Sequence, residues 1–183
     1  MRFKSFAFVL FLSFCAVACQ EKRYPDPVEQ AKKLYGKKIT FPTEYLSVVG
    51  SGTGPSIDSE LAKPLKIVTY LDENSCSECA LQILKHWETL SQEVSGYSVG
   101  FIPVVYPNDT TELKNALQAL QIDIPLFYDK GNKYIKQNKM EKVLARNRTF
   151  LLDDNNRIIV IGEPLASEAL WRVYKNTIVS RER

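Results

Sequence analysis

The most constraining feature of the sequence is a buried-strand pattern that leads directly into a cysteine pair and a helical pattern. Residues 66–71 are mostly β-branched, aromatic or apolar, which is typical of a buried strand. Cys76 and Cys79 follow within a few residues, spaced Cys-x-x-Cys. From Cys79 to Val94, apolar residues recur at the three- and four-residue spacing of one helical face. The cysteine pair is therefore predicted to lie where a strand leads into a helix, at the helix N-terminus.

Strand and helix patterns alternate along the rest of the chain. Strands are predicted over 99–106, 125–128, 148–152 and 157–161. One helix is predicted after the cap-like residues 109–112, and another in the polar stretch that ends at about 142. A last helix is predicted from about Ser167, and its inward-facing residues are Leu170, Val173, Tyr174 and Ile178. The turn-rich 153–156 joins the last two strands and indicates an antiparallel hairpin. This order predicts an α/β fold with a central mixed sheet and helices on both faces.

The first eighteen residues have the plan of a secretory signal peptide. Arg2 and Lys4 precede an apolar stretch over 6–18, which is broken only by Ser13. At about 13 residues this stretch is shorter than the roughly 20 that a helix needs to span a bilayer, so we expect it to be removed. Its end, Ala-Val-Ala-Cys, is similar to the lipobox of bacterial lipoproteins and predicts lipid attachment at Cys19. The alternative is ordinary cleavage at the same point, which leaves Cys19 as a free thiol.

The four cysteines do not form a disulfide framework. Cys15 leaves with the signal peptide and Cys19 is predicted to carry lipid, so the mature domain keeps Cys76 and Cys79. As a structural staple, a bridge over so short a loop stabilises by only about 2 kcal/mol in the loop-entropy model. Zinc needs about four ligands, and His86 is the one histidine of the chain, which disfavours a metal site. A redox-active dithiol is the favoured interpretation.

Composition and charge exclude other classes of protein. The 183 residues are 45% hydrophobic and 25% charged, which is typical of one folded domain and not of a disordered chain. Without Arg2 and Lys4, 22 basic residues (24 minus 2) oppose 21 acidic ones, a net charge of +1. Nucleic acid is therefore not expected as a partner. The glycine-rich 50–55 lacks the Gly-Lys-Ser/Thr end of a phosphate loop and is interpreted as a connector.

These patterns divide the chain into four segments. Residues 1–18 are the predicted signal peptide, and the polar, proline-containing start of 19–36 indicates a lipid-anchored tether. Residues 37–63 form an N-terminal extension in which Lys37 to Pro42 is a strand candidate. The main domain spans residues 64–183.

The element order and the dithiol together resemble the thioredoxin superfamily. Within it, the chain is similar to the membrane-tethered thiol-disulfide oxidoreductases of the TlpA kind, over about Pro64 to Ile178. Residues 125–140 match the strand-helix insertion of that branch, and 149–153 followed by 155–159 is similar to its Thr-Phe-Leu-Ile-Asp hairpin. The resemblance implies a thioredoxin-like fold with that insertion.

The resemblance also implies roles for particular residues. Cys76 would be the nucleophile and Cys79 the resolving cysteine, with Glu78 modulating the pKa of the Cys76 thiol. The family's substrate-facing loop, which carries a proline, falls at Asn147 and Arg148 in this sequence.

The sequence departs from the family pattern at several positions. Ser75 replaces the usual tryptophan, Ser77-Glu78 replaces the usual dipeptide between the cysteines, and no proline occurs between Pro125 and Pro164. Tyr70 stands six positions before Cys76, where thioredoxins keep a buried acid.

These observations predict a thiol-disulfide oxidoreductase of the bacterial cell envelope. It would need no cofactor beyond the Cys76–Cys79 disulfide and no metal. Its expected partners are disulfide-containing envelope proteins, the membrane through the N-terminal lipid, and a membrane electron donor. One alternative is a thioredoxin-fold binding module with a static disulfide. Peroxide reduction is disfavoured because peroxiredoxins place their reactive cysteine in a Pro-x-x-x-Thr/Ser-x-x-Cys context, whereas here Asp72 precedes Cys76 by four and no threonine stands three positions before it.

Overall fold

One mixed β-sheet organises the described part of the chain, residues 26–49, 55–72, 78–122 and 124–181 of a computed structural model. The strands are β1 (Leu46–Val49), β2 (Leu65–Leu71), β3 (Val99–Val105), β4 (Leu126–Asp129), β5 (Thr149–Leu152) and β6 (Ile158–Ile161). The helices are α1 (Pro27–Leu34), α2 (Ile57–Leu61), α3 (Glu78–Glu93), α4 (Thr110–Ala119), α5 (Lys133–Gln137) and α6 (Glu168–Arg181).

The strands lie in the order β1-β4-β3-β2-β5-β6. The neighbours β2, β3 and β4 run parallel, whereas β5 is antiparallel to β2, β6 to β5, and β1 to β4. The carboxyl ends of three parallel strands and the start of β5 therefore meet at one edge of the sheet, called the carboxyl edge below. The predicted α/β fold with a mixed central sheet is confirmed.

Helices α3, α4 and α6 cover one face of the sheet. The side chains of Leu65, Ile67 and Leu71 from β2 pack in one buried cluster with residues of these three helices. Within it, the Trp87 ring of α3 lies 4.9 Å from the Phe101 ring of β3. Because successive strand residues point to opposite faces, Thr69 of β2 also faces this side.

Helices α1, α2 and α5 cover the opposite face. Val68 and Tyr70 of β2 belong to a second buried cluster with Leu34, Ile57 and Tyr134. All seven residues of β2 are consequently buried, as expected for a central strand covered on both faces. Helices on both faces, as predicted, are confirmed.

The capping and turn residues that were predicted from the sequence form the expected hydrogen bonds. The Asp109 side chain caps α4 by accepting a hydrogen bond from Thr111 N at 2.6 Å. In the β5–β6 turn, Asp153 Oδ1 accepts from Arg157 N at 2.7 Å, and Asn156 adopts a left-handed conformation with φ of 60°. The antiparallel hairpin is confirmed.

The segment predicted as a tether is partly helical. Helix α1 begins at Pro27, and the Asp26 side chain accepts a hydrogen bond from Val28 N at 2.8 Å. Leu34 is buried in the sheet cluster, so α1 belongs to the folded domain rather than to a linker. The capping Asp-Pro pair and the inward leucine explain why this polar segment folds. Residues 1–25 lie outside the described part of the chain.

The N-terminal extension contributes the edge strand β1, which the sequence analysis did not predict. In the predicted strand over 37–42, only Lys38 forms an isolated bridge, with Arg157. Leu46–Val49 pairs antiparallel with β4 instead. The described residues of 37–63 are thus part of the same sheet as the main domain.

Two residues expected on inward helix faces are exposed. Val173 of α6 is 49% exposed and Ile83 of α3 is 39% exposed. On α6, Trp171 is buried in place of Val173, and its Nε1 donates to Glu93 Oε2 of α3 at 3.0 Å. The larger aromatic side chain and its hydrogen bond determine how α6 is rotated against the sheet.

Candidate functional site

The site predicted around the cysteine pair lies at the carboxyl edge of the sheet. Asp72 directly follows β2, and the described part of α3 begins at Glu78, with Cys79 as its second residue. Cys76 lies in the segment between them, outside the described residues. The side chains of Glu78 and Cys79 are also outside the described part. Of the two cysteines, the structure therefore describes the backbone of Cys79 alone, in the first turn of the helix that follows β2.

Arg148 ties the carboxyl edge together. Its guanidinium donates to Asp72 Oδ2 at 2.7 Å, to the carbonyl oxygen of Val143 at 2.8 Å and to that of Glu141 at 3.3 Å. Its side chain is only 12% exposed and lies 5.8 Å from the centre of the Tyr70 ring. The guanidinium was predicted in a substrate-facing loop. The guanidinium holds Asp72, which precedes the dithiol segment (residues 73–79), to the loop before β5.

Asn147 points away from solvent. It is 5% exposed and ends a short 3₁₀ turn that begins at Ala145. Its side-chain amide donates to the carbonyl oxygen of Pro27 at 2.9 Å and to Gln30 Oε1 at 3.2 Å. The side chain of Asn147 is therefore engaged by α1, while the neighbouring Ala145 and Arg146 are exposed.

A polar cavity of about 140 Å³ opens beside the Asp72–Arg148 pair. Its lining residues come from the ends of several elements at the carboxyl edge: Tyr70, Asp72, Tyr106, Asn132, Ile135, Glu141 and Arg148. Ligands of open α/β sheets bind outside the carboxyl ends of the strands, so the cavity lies where such a ligand would be expected.

Tyr70 is held in a polar network rather than serving as an acid. Its hydroxyl donates to Asn132 Oδ1 at 2.6 Å, and Asn132 has a left-handed backbone with φ of 58°. Burial and the nearby Asp129 carboxylate raise the pKa of Tyr70 far above the ordinary value for tyrosine. The hydroxyl therefore stays protonated throughout the physiological range.

A partly buried carboxyl group, that of Glu163, lies near the end of β2. The sequence patterns did not indicate it. Glu163 Oε2 accepts from Thr149 Oγ1 at 2.8 Å, and Thr149 Oγ1 also lies 2.8 Å from Thr69 Oγ1. Burial raises the pKa of Glu163. Thr69 faces the side of the sheet that α3 covers, so this carboxyl is on the same face as the dithiol helix. Glu163 follows β6 in the chain, and no sequence motif in that region indicated a functional site.

The predicted lipid site is beyond the described residues. Cys19 and the signal segment precede residue 26, where the described chain begins. Within the described ranges, no helix is both long and apolar enough to cross a membrane.

The six-stranded mixed sheet of the described residues, with helices on both faces and a C-terminal hairpin and helix, is a thioredoxin-like α/β fold. Solved structures with this fold include the thioredoxin domain of a thiol-disulfide oxidoreductase from Bacteroides vulgatus. It is 10% identical, has a TM-score of 0.56, and the match covers 79% of this chain and 97% of that one.

Two further structures share the fold. A protein from Chlorobium tepidum, provisionally named as thiol:disulfide interchange protein DsbE, is 14% identical with a TM-score of 0.58, over 79% of this chain and 97% of that one. StoA from Bacillus subtilis is 16% identical with a TM-score of 0.50, over 69% of this chain and 96% of that one. At the level of sequence, neither a protein-family model nor a curated protein matches the chain. The likeness establishes the thioredoxin-like fold.

Proposed function

We propose that the protein is a thiol-disulfide oxidoreductase that reduces or exchanges protein disulfides through Cys76 and Cys79. The observation that carries the proposal is the position of Cys79 in the first described turn of α3, close after β2 and Asp72. Solved neighbours of the same fold are named as thiol-disulfide oxidoreductases, which supports the same chemistry here.

In the proposed reaction, the Cys76 thiolate attacks one sulfur of a substrate disulfide. A bond forms between Cys76 and that sulfur, the substrate S–S bond breaks, and the leaving substrate thiolate takes up a proton. The Cys79 thiol then loses its proton and attacks Cys76, which releases the second substrate thiol. Two electrons pass to the substrate, and the protein is left with a Cys76–Cys79 disulfide.

The local electrostatics favour a moderately reactive thiolate. Because Cys76 precedes α3 in sequence, the N–H groups that the first turn of a helix leaves without an intrahelical partner would stabilise its thiolate. Glu78 adds a negative charge close by and opposes this effect. A thiolate that is only moderately stabilised belongs to a reducing couple rather than a strongly oxidising one.

Glu163 is the carboxyl group that we propose as proton acceptor when Cys79 attacks. The proposal is supported by its raised pKa, its link to Thr69 through Thr149, and its location on the face that α3 covers. A carboxylate with a raised pKa is a stronger proton acceptor than an ordinary glutamate.

We further propose that the protein works in the bacterial cell envelope, anchored through lipid at Cys19. Its substrates would be disulfide-containing envelope proteins, and a membrane electron donor would re-reduce the pair after each turnover. Replacing Cys19 with serine is expected to release the protein from isolated membranes into the soluble fraction. Unchanged membrane retention of that variant argues against the anchor.

The experiment that tests the function is trapping with Cys79→Ser. This variant keeps the nucleophile and lacks the resolving thiol, so mixed disulfides with substrates should accumulate through Cys76. Non-reducing gels and mass spectrometry of the envelope fraction identify them. The double variant that also lacks Cys76 is the matched control and should trap none. Equal amounts of adduct in both variants, or none in either, would favour the static binding module.

A further inference from the structure

We infer that Gln30 of α1 is a positioning residue that fixes the loop over 141–148 for substrate docking at the carboxyl edge. The inference rests on the proposed function and assigns a part in it to a helix that precedes the sheet. The Gln30 side chain forms hydrogen bonds with residues 142, 144 and 147, so its effect is exerted through the loop.

The Gln30 side chain makes three hydrogen bonds to this one loop. Its Nε2 donates to the carbonyl oxygen of Lys142 at 3.1 Å, and its Oε1 accepts from Leu144 N at 2.8 Å and from Asn147 Nδ2 at 3.2 Å. Donor and acceptor ends of the amide are both used, which fixes the orientation of the group.

The backbone hydrogen bonds within the loop close only short turns, so the bonds from Gln30 add contacts that the loop backbone does not supply. Val143 N donates to the carbonyl oxygen of Met140, and Asn147 N donates to that of Leu144. The N–H of Leu144 takes its partner from α1, across 114 residues of sequence. No proline lies between Pro125 and Pro164, so the loop also lacks a residue that would fix its backbone covalently.

Helix α1 is itself well anchored, so it can serve as a support. At its end Leu34 is 6% exposed, and Gly36 N donates to the carbonyl oxygen of Ile158 in β6 at 2.9 Å. Arg157 donates to the carbonyl oxygen of Gly36 at 3.0 Å. At its start, the carbonyl oxygen of Pro27 accepts from Asn147 Nδ2 at 2.9 Å.

The loop is connected to the dithiol segment through its last residue. Arg148 bonds both to the loop carbonyls of Glu141 and Val143 and to Asp72. Asp72 is four residues before Cys76, a span of at most about 14 Å of chain. On the proposed function, a substrate bound at Cys76 would dock against this loop, whose residues Ala145 and Arg146 are exposed.

The inference predicts a change in substrate affinity rather than in thiol reactivity. A loop released from Gln30 samples more conformations, and the apparent affinity for a substrate falls with the fraction of loops in the docking conformation. A small alkylating reagent needs no contact with the loop, so its reaction with Cys76 should be unaffected.

The test compares Gln30→Ala with Glu29→Ala, a variant on the same helix whose side chain is 57% exposed and pairs with Lys32. For reduction of insulin disulfides, Gln30→Ala is expected to raise KM about fivefold with kcat unchanged, while the rate of Cys76 alkylation by iodoacetamide stays within twofold of wild type. Glu29→Ala should match wild type in all three measurements. Gln30→Glu keeps an acceptor oxygen at this position and should give a KM between those of wild type and Gln30→Ala. If Gln30→Ala does not fold, the KM of Gln30→Glu is compared with that of Glu29→Ala instead.

Equal KM values for the Gln30 variants and Glu29→Ala would overturn the inference and leave the proposed function intact. Parallel losses of insulin reduction and of alkylation would also overturn it, because they indicate general disruption of the site. If the wild-type protein does not reduce insulin at all, the proposed function fails, and the inference falls with it.

Discussion

The Arg148 side chain joins two segments of the carboxyl edge that lie 76 positions apart in sequence. Replacing it with glutamine removes the ion pair with Asp72 and the bonds to the carbonyls of Val143 and Glu141. Because the pair is only partly shielded from water, we expect a loss of about 1–3 kcal/mol in the free energy of unfolding, measured by urea denaturation.

Arg172→Gln is the matched control for that measurement. Arg172 lies 3.9 Å from Glu168 on α6, and its side chain is 65% exposed. Exposed pairs contribute little, so its loss should change the free energy of unfolding by less than about 0.5 kcal/mol. Similar values for the Arg148 and Arg172 variants would contradict the role assigned to Arg148.

Glu163 gives a prediction about pH. Because burial raises its pKa, the folded protein holds a proton that the unfolded chain releases once the pH passes the ordinary glutamate value of about 4.5. Stability should therefore fall as the pH rises from 4.5 through the pKa of the folded state. In Glu163→Gln this slope should be smaller, as measured by urea denaturation between pH 4.5 and 8. If the free energy of unfolding depends on pH in the same way in wild type and in Glu163→Gln, the raised pKa of Glu163 is contradicted.

At the element scale, the contact between α2 and β3 depends on a glycine. A Cβ at Gly100 would lie 2.4 Å from the carbonyl oxygen of Glu60, whose side chain accepts from Phe101 N at 2.6 Å. Gly100→Ala must therefore displace α2, and we expect a loss of about 1–3 kcal/mol in the free energy of unfolding. Gly96→Ala meets no atom within 4 Å and is the control, expected within about 0.5 kcal/mol of wild type. Equal effects at the two glycines would contradict this packing.

The elements that the sequence predicted are those with strong local signals. The buried run of β2, the Asp109 cap of α4 and the turn after Asp153 are all recognisable from neighbouring residues, and each was found where expected. The missed strand β1 has only four residues and is stabilised by pairing with β4, which lies about eighty positions away. Such a strand has no local pattern to identify it.

At the scale of the whole molecule, the sheet order decides what meets at the site. The pairing of β5 with β2 brings Arg148 to Asp72, and the docking of α1 brings Gln30 to Asn147. Sequence reasoning placed Asn147 and Arg148 at the site by resemblance to a family. It could not predict their partners, because these contacts depend on how separate elements pack. The roles of Cys19, Cys76, Cys79 and Glu78 stay predictions.

The reduction potential of the Cys76–Cys79 pair shows whether this dithiol is redox-active. The purified protein is equilibrated in glutathione buffers of graded potential, alkylated, and analysed by mass for the number of free thiols. A redox-active pair should show one two-electron transition between about −270 and −120 mV, nearer the reducing end, as in active oxidoreductases. A potential below about −300 mV, or two thiols that never form a bridge, would contradict a redox-active dithiol and indicate a static or unpaired site.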